Sequence, residues 1–319
     1  MSVRLRMDPR GRARLADLDA CYRRLSEDPE GCLPMIIIST PVDGLPTWEQ
    51  RLADPRVMLE AELAALEPHL EMGDDRAPSV RIEYGTAQVA AAFGCAMFQP
   101  ENNLPCAGSH PLARAADAFD MPVPDVEAGW YARAWEWMAE WRSALPDWIR
   151  FDLPDIQSPF NSAHLIRGND ILTDFYDEPA AVERLLDLVT DFMLKIVEKA
   201  WAVAGGDGGW LTDWGGLWNG RARISNCSMH MISPDFYRRF VLPRDARFLR
   251  SVGGGRVHYC GTHPEVITEY CRLPMLTGLD YDWSIHDPGL VDRCPPGVAL
   301  TSTLPLEQGS PILEGMLAG

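Results

Sequence analysis

A chain of 319 residues with 46% hydrophobic content can bury one large core, and its net charge of 29 − 46 = −17, with a pI near 4.8, makes nucleic acid and anionic membrane surfaces poor partners. No apolar run approaches the ~20 residues that span a bilayer. Eight cysteines, with no CxxC pair and no secretory signal, point to reduced thiols in the cytoplasm.

The chain opens on a basic stretch holding Arg4, Arg6, Arg10, Arg12 and Arg14, followed by a segment carrying several acids. Targeting peptides are poor in acids, so residues 1–32 read as an ordinary helical arm and 33–319 as the main domain. "LPMIIIS" (33–39) reads as a buried strand, and "SVRIEYGT" (79–86) alternates with Val80 and Ile82 on one side. In "GWYARAWEWMAEWRSA", Trp130, Ala134, Trp137 and Trp141 share one helical face suited to core packing. "WIRFDLPDIQSP" (148–159) begins like a strand. The longest helix is "EPAAVERLLDLVTDFMLKIVEKAWAVAGG", where Leu185, Leu186, Val189, Phe192, Met193, Ile196, Val197 and Ala200 form one broad stripe that Gly205 and Gly206 stop.

Later strands are "GWLTDWGG" (209–216), "RVHYCG" (256–261), "LTGLDYDW" (276–283) and "GVALTSTLP" (297–305). A helix in "SPDFYRRFVLPRDARFLRSVGGG" starts at Ser233 as cap with Pro234 first, and Pro243 breaks or kinks it. Another starts near Pro264, where Thr262 and Glu265 have capping-box spacing. Strands alternating with helices imply a parallel sheet, open or closed. The glycine stretches at 204–209 and 253–255 follow helices and precede strands, the reverse of a dinucleotide loop.

Parallel α/β proteins place their chemistry at the carboxyl ends of strands. Those positions carry Glu83, Gln157, Asp213, His258, Cys260, Asp280 and Asp282, with Thr301 and Ser302 after them. Asp213 sits among apolar neighbours and needs a partner or a raised pKa. Trp214, Trp218 and Trp283 lie beside strand ends as candidate pocket walls. His258 and Cys260 are two apart on one strand face, a spacing from which both can reach one Zn²⁺. On the residues alone, with no third ligand in view, a core histidine and a packed thiol is the favoured reading.

"GLWNGRARISNCSMHMISPDFYRRFVLP" followed by "VHYCG" and "LTGLDYDW" resembles the uroporphyrinogen decarboxylase superfamily, as do "IEYGTAQVAAAFGC" and "GNDILTDFYDEPAAVERLLDLVTDF". The likeness runs over most of residues 33–305. It implies a TIM (β/α)₈-type barrel with a deep mouth pocket. The arginine-rich N-terminal motif of the true decarboxylases has no counterpart in "IIISTPVDGLPTWEQR". His258-Tyr259-Cys260 instead matches the His-x-Cys of the corrinoid-dependent methyltransferase branch.

The resemblance therefore implies zinc-assisted methyl transfer between a corrinoid on a partner protein and a thiol or other small methyl carrier. In it His258 and Cys260 are metal ligands, and Asp213, Glu83, Asp280 and Asp282 are the catalytic acids. Gln157, Trp214, Cys227 and Tyr259 are expected to line the substrate pocket. A tetrapyrrole decarboxylase using Asp213, a non-catalytic ligand-binding relative, and a carboxylate-pair glycosidase are the alternatives. Seven strands are legible and an eighth is not. The barrel is expected to lack its last strand, leaving two edges for the N-terminal segment or a second chain, in a homodimer, to cover.

Overall fold

The computed structural model describes residues 9–28, 32, 34–39, 41–206, 209–261, 263–280, 289, 293–305, 307, 309–311 and 314. Helix α1 (Pro9–Glu27) leads. Its Leu18 and Tyr22 pack with Ala77 and Leu217 in a small cluster apart from the main core. The expected strand at 33–39 is absent from residues 34–39. Ile36 and Ile38 are 40% and 44% exposed, and their amides donate to the carboxylates of Asp75 and Asp74 rather than to a ladder.

Helices α2 (Trp48–Ala53) and α3 (Pro55–Met72) follow, α2 started by a capping box from Thr47 and Gln50. Strand β1 (Ser79–Val80) is short, yet Val80, Ile82 and Tyr84 stay buried in the expected alternation. Helix α4 (Gln88–Ala92) and a small antiparallel hairpin, β2 (Met97–Phe98) with β3 (Cys106–Ala107), lead to α5 (Gly129–Ala144). On α5, Ala134, Trp137 and Trp141 are buried as the helical spacing predicts, and the Trp141 indole donates to the carbonyl of Pro55.

Strand β4 (Arg150–Phe151) pairs in parallel with β1. After helices α6 (Pro159–Arg167), α7 (Ile171–Asp177) and α8 (Pro179–Ala204) comes β5 (Trp210–Asp213), linked to the β4 side by a parallel bridge between Asp152 and Thr212. Beyond it the structure adds two strands that the hydrophobic pattern did not single out. β6 (Gly216–Asn219) folds back antiparallel on β5, and β7 (Ala222–Ser225) starts a four-stranded parallel sheet. The sheet order is β7, then β8 (Gly255–His258), β9 (Leu276–Asp280) and β10 (Ala299–Thr301).

The architecture is thus α/β with parallel strands wound in chain order. A closed eight-stranded barrel is not seen among the described residues, whose parallel ladders are β1–β4 and β7–β10. Among the described residues six strands stand in these ladders and β5 joins through the bridge at Thr212, with β7 in the set and the segment at 34–39 outside it.

The stripe on α8 is buried along its whole length, and Gly205 ends the helix in the left-handed conformation. After β7, Ser233 caps a helix that runs as α9 (Pro234–Phe236), a π-helical turn (Tyr237–Val241) and α10 (Leu242–Val252). Pro243 has no N–H to donate, and the wider turn, with Leu242 N–H reaching the carbonyl of Tyr237, absorbs the defect without breaking the helix. Helix α11 (Pro264–Tyr270) starts at the expected proline, but its cap is His263, whose side chain makes no capping bond. Thr262 lies outside the described residues.

Phe192 of α8 is fully buried, with the rings of Phe93 and Tyr131 standing edge-on at centroid distances of 5.7 and 5.6 Å. Replacing it empties space that three elements share. We expect Phe192→Ala to lower unfolding free energy by about 3–5 kcal/mol, read from the urea midpoint at unchanged slope.

Candidate functional site

The strand ends of β7 and β8 lie side by side because the parallel register pairs Ser225 with His258. Cys227 stands two residues past Ser225, and Cys260 two residues past His258. The same two-residue step therefore carries both thiols to one place, beside the imidazole. One donor atom from each of Cys227, His258 and Cys260 lies within 4.8 Å of the others. The amide of Asn226 donates to the carbonyl of His258 at 2.9 Å and locks the two strand ends together.

His258 is oriented from behind. Its Nδ1 meets a carboxylate oxygen of Asp280 on β9, which leaves Nε2 for the thiols. The Trp214 ring packs against the imidazole at 4.6 Å, roughly edge-on. Burial alone would lower the His258 pKa, but the hydrogen bonds with Asp280 and Cys260 outweigh it and raise it to about 9. Hydrogen bonds from Cys227 and His258 pull the Cys260 thiol down to about 4, while the same contact with Cys260, together with burial, pushes Cys227 up. Both shifts favour a thiolate at Cys260 beside a protonated ring at His258.

Beneath it lies a buried charge lattice. Arg256 is fully buried. Its Nη1 donates to Asp213 at 2.8 Å and its Nη2 to Asp280, with the ring of Trp218 4.2 Å from the guanidinium carbon. Arg81 joins Glu83 and approaches Asp213 at 3.9 Å, and Arg223 bridges Asp155 at 2.9 Å and Asp213 at 3.7 Å. Burial would raise the pKa of Asp155, but Arg223 and Arg81 hold it below the usual carboxylate range; Asp280 is held down in the same way by Arg256 and His258. Asp152, buried near Asp213, is pushed up.

The cluster opens onto a cavity of about 330 Å³ whose lining residues include Asp155, Gln157, Asn161, Arg223, Ser225 and Ser228. That volume falls at the lower end of small-molecule sites. Asp155 accepts from the Gln157 side chain (2.7 Å), Gln157 from Asn161 (2.9 Å), and Asn161 from the amide of Ser228 (2.8 Å), next to Cys227. Gln157 and Trp214 both line this space with left-handed φ angles of 54° and 49°. Such backbone costs about 1–3 kcal/mol at a non-glycine residue and collects at functional sites.

The expected residues divide accordingly. Gln157, Trp214, Cys227 and His258 line the cavity, and Cys260 completes the donor cluster. Glu83, Asp213 and Asp280 do come together, but through arginines, and none of the three lines the cavity. Tyr259 does not line it either. Strand alternation turns it into the core, where it packs on Tyr270 and its hydroxyl accepts from the amide of His263. Trp218 is a buried floor under Arg256 rather than a pocket wall. Asp282 and Trp283 lie outside the described residues. Cys271 and Cys294 meet each other elsewhere.

Arg81, Arg223, Arg256, Asp155 and Asn161 went unrecognised in the sequence. A signal was present: each arginine precedes a strand-end residue by two, as in Arg81–Glu83, Arg223–Ser225 and Arg256–His258, so both share a strand face.

The family model described as uroporphyrinogen decarboxylase (URO-D) matches residues 45–301, and the chain belongs to that family. Among solved structures it is similar to a methyltransferase from Methanosarcina mazei, at TM-score 0.71 and 18% identity, with 90% of this chain and 82% of that chain covered. At that identity the likeness speaks for the fold. No curated protein matches the sequence. No helix among the described residues is long and apolar enough to cross a membrane.

One half-buried acid at the edge of the lattice gives a direct test of its electrostatics. Burial pushes Glu62, which accepts from the amide of Arg81 at 3.1 Å, up to about 7. The folded chain then keeps a proton that the unfolded chain releases above about pH 4.3, so this group's contribution to stability falls as pH rises from there to 7. Glu62→Gln removes that loss. The variant is expected to gain stability over the parent between pH 5 and 8, by an amount that grows with pH, in paired urea titrations.

Proposed function

We propose that the protein is a zinc-dependent methyltransferase of the URO-D family, moving a methyl group between a corrinoid and a small thiol. The observation that supports this reading most is the convergence of Cys227, His258 and Cys260 at the mouth of a cavity, with Asp280 behind the histidine. Two sulfurs and one nitrogen suit zinc, which in catalytic sites takes three protein ligands and leaves one position open. Bonds of roughly 2.0–2.3 Å at tetrahedral angles need donors about 3.3–3.8 Å apart. A spread within 4.8 Å closes to that by small side-chain rotations. The carboxylate on Nδ1 is the usual outer partner of a metal-bound histidine.

When bound, zinc supplies the Lewis acidity that keeps an incoming thiol ionised at neutral pH. The chain's own residues do the rest. Asp280 holds the His258 ring with Nε2 toward the cluster, and Arg256 holds Asp280. Asp155, Gln157 and Asn161 form a hydrogen-bonded wall that orients a small polar substrate, and Trp214 covers the imidazole. Glu83 and Asp213 balance the arginines rather than exchange protons with substrate. The named methyltransferase with the same fold agrees with this reading. A corrinoid presented by a partner protein is the proposed source of the methyl group.

A tetrapyrrole decarboxylase that grips pyrrole nitrogens through Asp213 is less well supported. That carboxylate is 4% exposed and already bonded to Arg256.

Protein purified without chelator is expected to hold one zinc per chain by elemental analysis. Cys227→Ser and Cys260→Ser should each lose it, and Asp280→Asn should weaken metal affinity about 10–100-fold. Zinc-loaded protein should demethylate free methylcobalamin in the presence of 2-mercaptoethanol, followed by the corrinoid absorbance. Folded protein that binds no zinc at micromolar metal would overturn the proposal.

A further inference from the structure

Two cysteines outside the site form a pair of their own. Cys271 ends helix α11, directly after the strand that carries His258, and is 6% exposed. Cys294 lies in the segment that leads to β10 and is half-buried. Their sulfurs are 2.7 Å apart, against about 2.05 Å for a covalent S–S bond. Only a small closure separates them from bonding. Among the described residues no histidine or carboxylate joins them to make a metal site. The residues between them include β9, whose Asp280 contacts both His258 and Arg256.

We propose that Cys271 and Cys294 are a reversible disulfide site, closed by low-molecular-weight disulfides such as oxidised glutathione and opened by the corresponding thiol. The contact with Cys271 pulls the more accessible Cys294 thiol toward thiolate, while that contact and burial push Cys271 up. Cys294 is therefore the attacking group. Its sulfur bonds to one sulfur of the glutathione disulfide and expels the other as a thiolate. That thiolate takes the proton of Cys271, whose sulfur then bonds to Cys294 and expels the second glutathione as thiolate. Two cysteine thiols lose two electrons, and one glutathione disulfide becomes two glutathione thiols. The new bond ties the segment leading to β10 to the end of α11 and closes a loop around β9. The pair is independent of metal at Cys227, His258 and Cys260.

The test equilibrates the full-length, zinc-loaded protein across a series of reduced-to-oxidised glutathione ratios, followed by acid quench, alkylation and peptide mapping. Cleavage after Glu265 and Glu269 separates Cys260 from Cys271. The expected product under oxidising ratios is a Cys271–Cys294 linked peptide, lighter by two hydrogens, that disappears again as reduced glutathione is raised. It should be accompanied by an upward shift in melting temperature. Cys271→Ser should leave one glutathione trapped on Cys294, because the resolving thiol is gone, and Cys294→Ser should leave Cys271 unmodified. Full alkylation of both thiols at every ratio in folded parent protein overturns the proposal, as does glutathione retained on Cys294 of the parent. Should a serine variant fail to fold, mapping of the parent decides alone.

Discussion

Arg256 is the residue on which the described site depends. One guanidinium with no exposed surface joins Asp213 at the end of β5 to Asp280 at the end of β9, and it projects from β8 between them. Desolvating such a group is expensive, and its two carboxylate partners offset that cost. Its neighbours are therefore held to narrow positions. Asp280 cannot turn from Arg256 without removing one of the two carboxylate partners of a buried guanidinium, so the second oxygen of the same carboxylate stays on His258.

The arginines explain how six acids can share one interior. Glu62, Glu83, Asp152, Asp155, Asp213 and Asp280 surround Arg81, Arg223 and Arg256, and the surplus of negative charge shows in which acids give way. Asp155 and Asp280, beside arginines, are held low; Glu62 and Asp152, less well paired, are pushed up. The surplus also suits a cation at the mouth. A site built to hold a metal gains from carboxylates just behind its ligands, provided they are themselves pinned.

Chemistry and strain coincide at the cavity. Gln157 and Trp214, both in left-handed backbone, present an amide and an indole to the same space as the thiols. Gln157 is held by Asp155 and Asn161, and its carbonyl accepts from the amide of Ser225. The wall of the pocket is thereby joined to β7, and so to Cys227.

Much of this was legible in the sequence. The stripe on α8, the caps at Ser233 and Gly205, the strand ends at Asp213, His258 and Asp280, and the donor pair His258–Cys260 all follow from local periodicity and turn chemistry, which act over a few residues. What failed was non-local. "LPMIIIS" is apolar enough for a strand, but Asp74 and Asp75, far along the chain, take two of its amides. "RARIS" gives little hydrophobic signal, because two of its five residues are arginines, and an arginine in a core is intelligible only once its carboxylates are in view. Cys227 could be assigned to the pocket by the resemblance, but not to the donor cluster. Nothing in the sequence places it next to a histidine 31 positions later. That proximity comes from the parallel register of β7 on β8, which only the packing of the whole sheet could decide.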